Sequence, residues 1–297
     1  MSRATKAPLP PPSASAMPGT AWLRLPAGRL SEWLSAAFLL ALLLAALFIE
    51  AIPGLEGPNV PYGDFSQPPE WSLNGLLGTD ALGRSILSRI LYGARTTLTI
   101  VGAATVIALG VGLLLGMLAG FYRGLTERLV DLYANTMASL PPILVILALI
   151  AVVGNSVLTM TLALGILDIG TYARIAKGGV ISQSERDYIL AARAMGASDR
   201  RLLLREILPN LLPALSALVP PLIAGLIVTE GSLSFLGYGI PQPAPSWGGM
   251  VASSTDLLDR FPLLVVGPIL AIVLTVYALN TIGDALARRL NGRDRGS

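Results

Sequence analysis

The 297 residues contain no cysteine and no histidine. Without cysteine there is no disulfide and no thiolate to act as nucleophile or ligand. Without histidine the chain lacks the commonest metal ligand and the commonest general base. A Ser-His-Asp triad is therefore excluded, and a catalytic metal site has little to be built from. Charge is scarce as well. Only 13% of the residues are Asp, Glu, Lys or Arg, against about 25% in soluble domains. No G-x-x-x-x-G-K-[ST] phosphate loop occurs, so the chain has no nucleotide site of that type. No internal repeat is visible.

What is abundant is apolar: 53% of the chain is hydrophobic, the composition of a membrane protein. A spanning helix needs about 20 mostly apolar residues. Six stretches qualify, near 34–52, 97–121, 129–153, 157–176, 211–235 and 262–286. The third is interrupted in its first half by Asp131, Asn135 and Pro141-Pro142. The expected fold is an all-α polytopic membrane protein of about six transmembrane helices.

The 21 Lys and Arg are unevenly placed. Arg84, Arg89, Arg95 and Arg260 fall in loops of one side, and all the others lie on the opposite side or at the termini. The positive-inside rule then puts both termini and the 177–210 loop in the cytoplasm. The first 30 residues, rich in Pro, Ala and Ser, read as a disordered cytoplasmic leader.

Within this greasy chain the stretch RDYILAARAMGASDRRLLLREILP, 186–209, carries five arginines and a Gly-Ala-Ser break. Ser184 followed by Asp187 fits a capping box opening a helix near 185. Gly196 fits the left-handed residue that closes that helix. Ser198 fits the cap of a second helix that runs to about Leu208, with Pro209 and Pro213 ending or kinking it. Leu202, Leu203, Ile207 and Leu208 are expected to face the bundle or the bilayer surface. Arg200, Arg201 and Arg205 are expected to face water, lipid phosphates or a partner. Charge and breaks alone leave three readings open: a topology loop, an interfacial amphipathic helix, or a docking element.

Three other features bear on function. Glu230 lies in or near the fifth span, where a charge costs about 2.5–3.5 kcal/mol on insertion scales. It therefore reads either as part of a substrate path or as a structural partner inside the protein. Residues 78–95, with Asp80, Arg84, Arg89 and Arg95 among apolar residues, read as a turn and an amphipathic interfacial helix. Pro and Gly break up 236–248, and Trp247 suits the aromatic belt at the membrane surface.

The order Ala191-Ala192-x-x-x-Gly196, with Ile207-Leu208-Pro209 ending thirteen residues after the glycine, resembles the EAA loop of ABC importer permeases. Leu190 stands where that family usually has Glu. The segments LGTDALGRSILSRILYGARTTLTIVG (77–102), YARIAKGGVISQSERDYILAARAMGAS (172–198) and EGSLSFLGYGIPQPAPSWGGM (230–250) resemble the dipeptide, oligopeptide and nickel permeases of that family, in matching order. Asp168 departs from the pattern, which has an aromatic near this point.

The resemblance implies a pore-forming subunit, not an enzyme. Its partners would be a second permease in a heterodimer, two cytoplasmic ATPase subunits that bind ATP and Mg, an external substrate-binding protein, and membrane lipid. It implies no cofactor in this chain and no nucleic acid. It makes Ala191, Ala192, Gly196, Ala197, Ser198, Arg200 and Arg201 the coupling helix that contacts the ATPase, and Glu230 a candidate for the substrate path. The expected organisation is a tail at 1–30, a first span and external loop at 31–95, a core permease unit at 96–290 and a short tail at 291–297. The implied solute is a di- or oligopeptide, with nickel or another small solute as alternatives. A self-powered secondary transporter is the competing class, although such proteins usually show repeats and several midplane charges.

Overall fold

A computed structural model describes residues 28–293, and the side chains of 30–290. Of the leader expected at 1–30, residues 1–27 lie outside the described residues and 28–30 already belong to the first helix; the last four residues of the chain also lie outside. Among the described residues every regular element is helical, apart from two isolated β-bridges. Five helices are long and apolar enough to cross a membrane.

Helix α1, Gly28–Leu47, is apolar all round from Ala36 onward. It lies at the periphery, where Leu40, Leu43, Leu44 and Leu47 are exposed, as expected of side chains that meet lipid. Its Glu32 pairs with Arg288 at 2.8 Å, so the described chain starts and finishes at the same end of the bundle.

Helix α2, Ile86–Tyr122, has 37 residues and extends about 55 Å, well beyond the ~30 Å hydrocarbon core. Ser85 caps it, accepting from the Ser88 backbone N–H. The segment expected as a separate interfacial helix is therefore split. Residues from Ile86 onward form the first turns of α2, and only what precedes them is loop. No residue between Ile86 and Tyr122 is a proline, so nothing stops the helix from running straight through.

Helix α5, Val157–Ser184, is capped by Ser156, whose hydroxyl accepts from the Thr159 N–H. It packs along α2 through Gly112, Gly116 and Gly120. A Cβ on Gly112 would lie 2.7 Å from the Ile169 carbonyl oxygen, and one on Gly120 would lie 2.8 Å from that of Lys177. The two backbones meet directly, as small-residue seams in membranes allow.

The third expected span is two helices. Helix α3, Gly124–Ser139, and helix α4, Pro142–Val153, meet at 91°. Pro141 forces Leu140 into an extended conformation, φ −90° and ψ 133°, because a residue before proline is excluded from the helical region. With only 12 residues, α4 rises about 18 Å and cannot span alone. Lys177 ties α3 to α5, bonding Asp131 at 2.6 Å and Glu127 at 3.3 Å.

The fifth span begins earlier than expected. Helix α6 is Asp187–Ala194, α7 is Asp199–Arg201, and a π-helical segment, Leu202–Ile207, leads into α8, Leu208–Leu233. The helical path that starts at Asp199 runs on to Leu236, where Gly237, at φ +88°, kinks it. Pro209 does not end it. The π turn redirects the Leu208 N–H to the Leu203 carbonyl, and Pro209 then falls in the first turn of α8, where its missing N–H costs little. Helix α9, Trp247–Ser254, and helix α10, Leu263–Arg293, complete the fold.

At the end opposite the termini, the 52–85 loop is knitted to α2. Arg89 is 3% exposed and donates to the Pro58 carbonyl at 2.8 Å. Ser88 donates to the Glu56 carbonyl at 2.6 Å. Asp80 pairs with Arg84 at 2.7 Å and faces Arg89 at 3.5 Å. Trp247 was expected in the aromatic belt. Instead it is 0% exposed, lies against Gly93 and donates its indole N–H to the Ile90 carbonyl at 2.9 Å. Ser246 fixes this placement by capping α9, which turns the first residue of the helix inward.

Candidate coupling surface and translocation cavity

The glycine turn expected at 196 is present. Gly196 has φ +84°. Its N–H bonds the Arg193 carbonyl at 3.0 Å, and the Ala197 N–H bonds the Ala192 carbonyl at 3.0 Å. This pair of bonds is the Schellman closure of a helix, with Ala192 and Ala197 as its apolar contact. The expected cap at Ser184 is not formed. That residue ends α5, its buried hydroxyl has no partner, and Arg186 occupies the N-cap position without a side-chain bond. Asp187 still lies in the first turn of α6, where its charge favours the helix dipole. Ser198 occupies the N-cap position of α7, but its hydroxyl makes no capping bond.

The inner face of this hairpin is core. Ile189, Leu202, Leu203 and Ile207 are buried against Met117 of α2, Val180 of α5 and Leu211 of α8. Arg193 stacks over the Phe121 ring at 5.4 Å, a cation–π contact that fastens α6 to the end of α2. The outer face is open. Leu190, Ala191, Gly196, Ser198, Arg200 and Arg201 are exposed, Ala192 and Ala197 partly so, and Met195 is 82% exposed. Apolar tips beside arginines are thus presented on a hairpin whose base is anchored to three long helices.

Glu230 is 1% exposed. One carboxylate oxygen accepts from the Ser234 hydroxyl at 2.7 Å and the other from the Thr97 hydroxyl at 3.1 Å. It joins α2 to α8 within this chain. Asp168 lies elsewhere. With Thr171 and Arg174 of α5, and Leu226 and Thr229 of α8, it lines a cavity of about 170 Å³ closed on one side by the α3–α4 elbow at Met137. Sequence reasoning missed this grouping. The signal was present as polar residues at 168, 171, 174 and 177, a three-residue spacing that runs along one helix. The Phe121–Arg193 contact left no such trace, because it joins residues 72 positions apart.

Comparison with known proteins now decides the family. Residues 112–295 match the model of the binding-protein-dependent transport system inner membrane component. The chain belongs to this family. Among curated relatives of this inner membrane component is the di/tripeptide transport system permease protein DppC of Pseudomonas aeruginosa. It is 36% identical over 259 residues, covering 86% of this chain and 85% of the relative. The glutathione transport system permease protein GsiD of Pectobacterium atrosepticum is 33% identical over 255 residues, covering 86% and 84%. A chain of the methionine ABC transporter MetNI, in inward facing conformations, superposes with a TM-score of 0.58. It covers 69% of this chain and 97% of that one at 19% identity, and shows the shared fold. The protein is a membrane-embedded permease subunit of an ABC importer.

Proposed function

We propose that this permease imports small peptides delivered by an external binding protein, in a pore completed by a second, different permease. ATP and Mg are bound by two cytoplasmic ATPase subunits, consistent with the absence of a phosphate loop here. Both termini and the α6–α7 hairpin face the cytoplasm, following the placement of Lys and Arg. The peptide assignment draws on relatives named for di/tripeptide and glutathione transport. The core permease unit is 96–290, preceded by the first span and its external loop.

The observation that carries the coupling role is the hairpin closed at Gly196. Its exposed residues, Ala191, Gly196, Ser198, Arg200 and Arg201, form a contact surface, with Ala192 and Ala197 at its base. Its buried leucines and isoleucines pass displacement to α2, α5 and α8. A short closed turn seated in a packed core transmits a push, whereas a mobile loop absorbs it. Glu230 serves the path indirectly, by holding α8 against α2 behind the wall that carries Thr229.

Reconstitution in liposomes tests this reading. Peptide uptake should require the binding protein, the ATPase subunits and ATP. Uptake by this chain alone, driven by an ion gradient, would establish the secondary-transporter reading instead.

A further inference from the structure

Between the base of the α6–α7 hairpin and the end of α10 lies a cleft of about 570 Å³, within the size range of small-molecule sites, about 300–1,000 Å³. Gln183 of α5, Arg186 and Tyr188 at the start of α6, and Asn210 of α8 form its polar side. Its apolar side includes Leu218 of α8 and Leu290 of α10. Leu290 follows closely on Arg288, the partner of Glu32, so the cleft lies at the end of the bundle where the described chain starts and finishes.

Most of the polar groups in the cleft are already engaged. The Tyr188 hydroxyl donates to the Gln183 amide oxygen at 2.9 Å and accepts from the Asn210 amide at 3.2 Å. Asn210 also donates to the Glu206 carbonyl at 2.6 Å. Two groups are left over. The Gln183 amide nitrogen donates to nothing among the described residues. The exposed Arg186 has no ion-pair partner among them either. Its neighbour Glu185 pairs instead with Arg123 at 3.2 Å, and neither Glu185 nor Asp187 lines the cleft. Residues 1–27 contain no Asp or Glu, and Asp294 stands between Arg293 and Arg295, so the rest of the chain is a poor source of a counter-charge.

We propose that this cleft holds the headgroup of an anionic phospholipid, with the phosphate on Arg186 and Gln183 and the acyl chains leaving over Leu218. A guanidinium matches two phosphate oxygens at once, and Gln183 adds neutral donors beside it. No carboxylate lines the cleft, so the ammonium of a zwitterionic headgroup finds no counterpart there. The apolar side favours a lipid over a free anion. It continues onto Leu212 and Leu218, which are exposed on α8 as side chains facing acyl chains are. The inference rests on the cytoplasmic placement of this end proposed above, where the leaflet surface is negative. It does not depend on which solute is carried. A lipid held here would touch α5, α6, α8 and α10 together, and so brace the base of the hairpin.

The test uses the assembled transporter, stripped of native lipid in mild detergent. It is titrated with dioleoylphosphatidylglycerol or dioleoylphosphatidylcholine, and bound lipids are counted by native mass spectrometry. Arg186→Gln should weaken one phosphatidylglycerol binding event by about tenfold, the scale of one charge-assisted contact, and leave phosphatidylcholine unchanged. Arg186→Lys should recover most of the loss, because it keeps the charge. Gln183→Leu should lose less than Arg186→Gln. Arg128→Gln, at an exposed arginine of α3 outside the cleft, should lose nothing.

Equal losses for the two lipids, or an equal loss in Arg128→Gln, would reduce the preference to general surface effects and overturn the proposal. Displacement of the lipid by millimolar inorganic phosphate would assign the cleft to a free anion, with the same consequence. Cross-linking from Leu218→Cys to the second permease would show the cleft covered by protein and would also overturn it. Peptide uptake is read separately. Its absence would remove the peptide reading and leave the lipid pattern as it stands.

Discussion

At the end away from the termini, Trp247, Arg89 and Ser88 each reach across to a different segment of backbone and are buried there. At the other end, the α6–α7 hairpin buries four apolar side chains and leaves its turn exposed. The first region is closed by hydrogen bonds from buried side chains. The second is closed by one glycine turn whose outer face has no covering among the described residues. On the coupling role proposed above, the capped end would hold the frame and the open end would receive the ATPase. Rigidity has been put into different bonds at the two ends, and different substitutions should expose each.

The largest effect is expected at the closed end. Trp247→Ala should destabilise the chain by about 3–5 kcal/mol, the range for truncating a buried aromatic. Thermal unfolding in detergent should show it. An unchanged melting curve would remove the contrast between the two ends. At the open end the effect should be functional. A Cβ on Gly196 meets nothing within 4 Å, so only the left-handed backbone opposes substitution. That strain is about 1–2 kcal/mol for a side-chain-bearing residue. Gly196→Val should leave insertion intact while lowering ATPase co-purification and ATP-driven uptake. Gly196→Asn should lose much less, because asparagine tolerates this conformation. Equal behaviour of Val and Asn would show that the turn's geometry is not what matters.

Between the two ends, Glu230 tests whether the α2–α8 joint belongs to the frame or to the path. Glu230→Leu would strand the buried Thr97 and Ser234 hydroxyls and should cost about 1–3 kcal/mol. Glu230→Gln keeps both contacts and should leave peptide KM unchanged. A raised KM in Glu230→Gln would put the residue in contact with solute.

The smallest effect belongs to the external loop. Hydrogen bonds from Tyr62, at 2.8 Å, and from Ser72, at 2.9 Å, hold the Glu70 carboxyl below its ordinary pKa. A depressed folded-state pKa stabilises the loop above the ordinary glutamate value, and that contribution is lost as pH falls through the lowered one. Peptic cleavage within 62–75 should therefore rise as the medium is acidified below the ordinary glutamate range. Tyr62→Phe should shift the onset to higher pH.

Five of the six spans, the glycine turn and the inward residues Leu202, Leu203 and Ile207 were legible in the sequence, because each follows from hydrophobic length, helical period or a left-handed residue. The elbow at 140 was half legible. Pro141 announced a break, but its 91° angle depends on what α4 packs against. Trp247 was misread because a tryptophan near a span end has the same local signature whether it meets lipid or a neighbouring helix. Ser184 was misread for a related reason, since a capping pattern says nothing about whether the preceding helix has already ended. The cavity at Asp168 was written in a three-residue spacing. Its meaning appeared only when α3, α4 and α8 were placed around it.

The seam of Gly112, Gly116 and Gly120 also gives the protein a ruler. Two helices in backbone contact over about two turns are packed too closely to slide, so markers placed on the outer faces of α2 and α5 should keep a constant separation through a transport cycle. Against that fixed length, spectroscopic displacements of the hairpin or of the elbow acquire an absolute scale.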